Sequence, residues 1–112
     1  MPKKRVYFVY NIPSNVVNIV KAVCADYERR QRAVESSKAN GEVREEYIRL
    51  NTIIDEALSD VEIGLRNFFL RDFRDNHGYE RSEATFLLSK NAYYRRKRKL
   101  IHDVAQALNL IA

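Results

Sequence analysis

The sequence predicts an all-α protein, an N-terminal antiparallel helical hairpin followed by a C-terminal helix-turn-helix with a long terminal helix. Two observations predict it. Apolar residues recur at three- and four-residue spacings through most of the chain, the period of a helix with one buried face. The 112 residues include only 3 Gly and 2 Pro, with 46% hydrophobic and 31% charged side chains, a composition for a folded helical chain rather than a disordered one. At this length a single domain is expected over residues 1–112, divided into an arm (1–13), the hairpin (14–58) and the helix-turn-helix module (59–112).

The arm contains the basic cluster Lys3, Lys4 and Arg5 and then "VYFVYNIP", whose periodicity fits a strand or a helix equally. Ser14 is the expected N-cap of a first helix reaching about residue 36. Its inner stripe is Val16, Ile19, Val20, Val23, Tyr27 and Val34, and its polar side Lys21, Asp26, Arg29, Arg30 and Arg32. "SSKANG" supplies the break. A second helix follows from Glu42 through Val43, Tyr47, Leu50, Ile54, Ala57 and Leu58, and so short a connection makes the two antiparallel neighbours.

Near Ser59 and Asp60, both good N-caps, the register breaks, unless Leu58 runs straight on into one long bent helix. Beyond it Val61, Leu65, Phe68, Phe69 and Phe73 form a dense apolar face, ended by "DNHGYE", where Asn76 and Gly78 suit left-handed backbone angles. "RSEATFLLS" then reads as a short helix turning Ala84, Leu87 and Leu88 inward. After Ser89 comes a long terminal helix with Tyr93, Leu100, Val104, Ala107, Leu108 and Ile111 on its apolar side. A short helix, a tight turn and a long helix behind an aromatic support describe a helix-turn-helix.

The charge is concentrated in that last helix. Net charge is +5, yet residues 90–99 alone hold six basic side chains and no acid, leaving 14 basic and 15 acidic residues elsewhere. Clustered Lys and Arg fit a polyanionic partner, because neutralising phosphates releases condensed counterions. In a helix-turn-helix the N-terminal half of the second helix enters the major groove. The expected DNA-contacting residues are Ser89, Lys90, Asn91, Tyr94, Arg95, Arg96, Lys97, Arg98 and Lys99. Lys90, Asn91, Arg95 and Arg98 share a face by their spacing, and Arg and Asn can each make two bonds to a guanine or an adenine edge. Arg96, Lys97 and Lys99 fall on the flanks, where they suit phosphates. Tyr94 suits a phosphate through its hydroxyl or a thymine methyl through its ring, and Tyr93 the core.

A charge run is more often a solvated face, and "RRKRK" also fits the loose pattern of a nuclear localisation signal. Against the solvated face, five successive basic residues occupy every side of a helix, and no acid within the helix compensates them before Asp103. Like charges one turn apart repel by a few tenths of a kcal/mol per pair, so the arrangement is a local cost without a partner.

"DYERRQRAVE", "YIRLNTIIDEAL" and above all "LSKNAYYRRKRKLIHDVAQALNLI" resemble the phage-encoded late-gene transcriptional regulators of the ArpU and RinA type. The resemblance runs from about Asp26 onward. It implies a terminal helix-turn-helix like that of sigma-factor region 4, binding to duplex DNA at a late promoter, and work in the cytoplasm of a bacterial host. On this sequence it maps the supporting helix to Ser82–Leu88 and the start of the recognition helix to Ser89–Lys99. Many such modules have Gly in the turn four residues after a small residue. Counted from Ala84 that place holds Leu88, so a turn of another type is expected.

No catalytic, cofactor-binding or metal-binding residues are expected. His77 and His102 are isolated, no phosphate loop or nucleophile motif occurs, and Asp55, Glu56, Asp60 and Glu62 read as polar helix faces near a cap. The lone Cys24 has no disulfide partner and fits a reducing compartment, and no run approaches the roughly 20 apolar residues of a membrane span. The competing reading is a protein-interaction module, in which the hairpin binds host RNA polymerase or a second copy of the chain and the basic helix binds polyanions without specificity. The 7 Tyr and 5 Phe, numerous for so small a core, favour it.

Overall fold

The computed structural model describes residues 10–79 and 88–112. Within them the chain is helical, as predicted: α1 (Ser14–Ala25), α2 (Tyr27–Glu35), α3 (Gly41–Ala57), α4 (Ile63–Asp75) and α5 (Lys90–Ala107). The short helix expected over Ser82–Leu88 falls outside the described residues except for Leu88, as does the arm up to residue 9.

The first helix is not continuous to residue 36. Val16, Val20 and Cys24, each four residues apart, bury one face of α1, and the helix then breaks at Asp26, whose backbone lies at φ −93° and ψ 6°. The break has a physical correlate in Arg30, expected on the polar side but only 3% exposed. Its Nη2 donates to the Val23 carbonyl at 2.7 Å, in the last turn of α1 where carbonyls lack intrahelical partners, and its Nε to Asn51 Oδ1 of α3 at 2.8 Å. Asn51 Nδ2 in turn donates to the Tyr27 carbonyl at 3.1 Å. A buried guanidinium thus joins three helices, each of its contacts replacing a lost hydrogen bond to water. Ser14 does not cap either. The helix starts at Ser14, preceded by Pro13, whose carbonyl accepts from Val17 N–H at 3.0 Å.

The break redistributes the packing. α2 alone forms the hairpin with α3, while α1 lies against α4 and α5, and α3 also reaches α5. α2 stops in a left-handed turn at Ser37 (φ 63°), where Lys38 N–H returns to the Ala33 carbonyl and Ser37 N–H to that of Val34. α5 ends the same way at Asn109 (φ 62°), with Leu110 N–H bonded to the Ala105 carbonyl.

The expected break after Leu58 is present, so residues 42–76 form two helices, but α4 starts at Ile63 and neither Ser59 nor Asp60 caps it. Instead Arg66 reaches back from α4 to the carbonyls of Val61 and Ser59 and braces the turn. α4 buries Leu65, Phe69, Leu70 and Phe73 and ends at Asn76 in the left-handed conformation (φ 56°), as predicted. The core lies between α1, α3, α4 and α5, with Phe69 and Tyr93 fully buried and stacked at 4.8 Å between centroids. A ring so enclosed contributes about 3–5 kcal/mol relative to alanine.

Candidate nucleic-acid interface

α5 carries the candidate site, and its core stripe decides which cations face outward. Ser89 caps the helix, its Oγ accepting from Ala92 N–H at 3.2 Å. Tyr93, Leu100, Ile101, Val104 and Ala105 are buried. Ala107, expected inside, is exposed, because a stripe centred on Tyr93, Leu100 and Val104 takes in Ile101 and Ala105 instead.

Lys97 lies one turn beyond Tyr93 and so points along the same stripe. It was expected at a phosphate. Its side chain is only 12% exposed, and Nζ sits 2.9 Å from the carboxylate of Asp72, itself 1% exposed. Asp72 also accepts from Tyr93 Oη at 2.5 Å and from Gly78 N–H at 2.9 Å. The ammonium lies 5.2 Å from the Phe73 ring centroid and 5.7 Å from that of Tyr94, within reach of both π faces. Burial opposes ionisation of Asp72, but the hydrogen bonds from Tyr93, Lys97 and the Gly78 amide, with the Lys97 charge, outweigh it and hold the carboxyl below its ordinary range. Lys97 is a strut between α4 and α5.

Tyr94 is likewise turned to internal duty. Its hydroxyl accepts from Tyr79 N–H at 3.0 Å, and its ring packs edge-on against Tyr93. Tyr79 donates its own hydroxyl to the Leu88 carbonyl at 2.7 Å, so the segment after α4 is tied to the start of α5. Gly78 has φ +74°, and a Cβ there would stand 3.2 Å from Tyr94 Oη, which makes glycine the residue this crossing accepts.

Arg96 is 19% exposed and paired with Asp60 in the turn before α4, and Lys99, 45% exposed, is paired with Asp103 at 2.9 Å. Much of the missing compensation for the basic run therefore comes from outside the helix, from Asp60 and Asp72. Neither is legible as a partner by spacing, since they precede their cations by 36 and 25 residues.

What stays outward is Ser89, Lys90, Asn91 and Arg95, all exposed, with Arg98 half-buried beside them. Asn91 and Arg95 are one turn apart, and Arg95 makes no hydrogen bond or ion pair with the described residues. The arrangement offers a planar amide and a guanidinium to one surface, donors suited to base edges or phosphates. Among the described residues no group of three His, Cys, Asp or Glu side chains is placed to hold a metal ion, and no helix is long and apolar enough to cross a membrane.

No protein-family model, curated protein or solved structure matches this chain.

Proposed function

We propose that the protein is a sequence-specific DNA-binding transcriptional regulator that reads the major groove with the outer face of the first half of α5. The observation that carries this reading is the exposure of Asn91 and Arg95 one turn apart at the start of the helix, beside Lys90 and Arg98. The neighbouring cations are held inward by Asp60 and Asp72. Phosphate neutralisation supplies affinity and the amide and guanidinium supply selectivity. In this reading α4 supports a helix-turn-helix that ends in α5, Ser89 both caps the helix and lies at the backbone, and the regulator has no catalytic activity. The likeness of the terminal segment to phage late-gene regulators gives the reading its setting: a late promoter, host RNA polymerase as a partner and the bacterial cytoplasm.

A titration onto the DNA flanking its own gene and onto scrambled duplex, each at two salt concentrations, tests it. Binding to one segment that persists near physiological salt is the expected result. Equal, salt-labile binding to both duplexes would sink the specific reading and favour the second one, a hairpin that binds another protein or a second copy of itself. Val43 and Ile48 of α3, 52% and 43% exposed, support that alternative.

A further inference from the structure

A cavity of about 320 Å³ opens between the start of α1 and the inner flank of α5. That is the lower end of the range for small-molecule sites. One wall is apolar, from Ile12, Val17 and Ile101, with the rings of Tyr10 and Tyr94 alongside. Among the described residues the other polar groups at its margin are three cations, Lys21, Lys97 and Arg98, with no acid beside them. Asp72 compensates Lys97, while Lys21, half-buried on α1, makes no ion pair or hydrogen bond with the described residues. Converging cations around a partly enclosed space raise its positive potential and favour an anion there. Apolar and aromatic walls exclude a bare phosphate as the best occupant and favour a ring.

We infer that this cavity is a binding site for a small aromatic anion, a carboxylate or sulfonate whose ring lies against Val17, Ile101 and Tyr94 and whose charge is met by Lys21 and Arg98. The site has room for one such molecule and none for an oligonucleotide. Because Arg98 belongs both to the cavity and to the proposed DNA face, an anion bound here holds that side chain toward α1 and weakens DNA binding. This coupling rests on the DNA-binding reading, whereas the ligand site does not.

The probe is the aromatic sulfonate 1-anilinonaphthalene-8-sulfonate, titrated against the full chain by fluorescence. Saturable binding at one equivalent is expected, weakened at least tenfold in Lys21→Glu and less in Lys21→Met, with far-UV circular dichroism and the thermal midpoint retained in both. Arg32→Glu, the same charge change on α2, should leave affinity within about twofold. No saturable signal, or equal weakening by Lys21→Glu and Arg32→Glu, would overturn the site. Duplex titrations without the probe read the DNA function separately. With it, DNA affinity should fall several-fold in the wild type and not in Lys21→Glu. If the probe binds with the expected Lys21 dependence and no duplex is bound, the ligand site stands and the DNA reading fails.

Discussion

Arg95 and Lys97 are two residues apart on one helix and differ in almost everything that matters. Arg95 is exposed and has no partner among the described residues, whereas Lys97 neutralises a buried carboxylate. Arg95→Ala should therefore leave the thermal midpoint nearly unchanged and cost about 1–3 kcal/mol in binding to the preferred duplex, read by fluorescence anisotropy. A loss of stability matching the loss of binding would remove Arg95 from the reading face. Cys24 makes the opposite case on α1. It is fully buried, and burial pushes its thiol up to about 12, the Arg30 charge opposing. With the thiolate suppressed and access closed, labelling by a disulfide reagent at pH 8 should proceed only at the rate of protein opening and accelerate in denaturant. Rapid stoichiometric labelling of the native protein would contradict this burial.

At the scale of elements, the joint between α4 and α5 is an ion pair set in a hydrogen-bonded cluster rather than an apolar seam alone. Asp72→Asn leaves Lys97 without its counter-charge and should cost about 3 kcal/mol of stability at pH 7. The pH dependence has a definite sign. The Asp72 carboxyl is held below its ordinary range by its donors, so its contribution is complete above the unfolded value near ~4 and disappears as pH falls through the lower folded value. Urea unfolding at a series of pH values should show a wild-type decline below about pH 4 that is shallower in Asp72→Asn; parallel curves would refute the assignment. The same joint marks what the sequence conveyed. Periodicity placed α3 and the aromatic face of α4, and the turn chemistry of Asn76 and Gly78 was readable because few residues accept left-handed angles. Arg30 and Lys97 were misplaced for a common reason: a charged residue on a helix is assigned to water by pattern alone. Their partners make the burial tolerable: Asn51, the Val23 carbonyl and the Asp26 carboxylate for Arg30, and the distant Asp72 for Lys97.

For the whole molecule, the net charge overstates what a polyanion meets. Of the six cations in residues 90–99, Arg96, Lys97 and Lys99 are each engaged by an aspartate. The slope of log K against log salt contributed by this helix should then be no steeper than about −3, against a value near −5 for six phosphate contacts. Isothermal binding at four or five salt concentrations measures it, and a slope near −5 would mean that DNA breaks the internal pairs. The N-terminal half was less legible as architecture. The sequence pattern ran through Asp26 without interruption, since apolar positions on both sides keep a common period, and it assigned all of residues 14–36 to the hairpin. The structure gives α1 to the α4–α5 side and leaves α2 with α3.

That division at Asp26 has a consequence for how the protein breathes. α2 buries no apolar side chain completely; its one buried residue is Arg30, while α1, α4 and α5 share the enclosed core. Opening the tip around residues 33–43 therefore exposes little apolar surface and leaves the support of α5 in place. Native-state hydrogen exchange should resolve two tiers, amides of α2 exchanging through a low-energy local opening and those of α4 and α5 only with global unfolding. Uniform protection across all five helices would show a single cooperative unit. With two tiers, a partner that grips the hairpin draws on its own reserve of motion, and the helix proposed to face DNA keeps its shape while the other end changes.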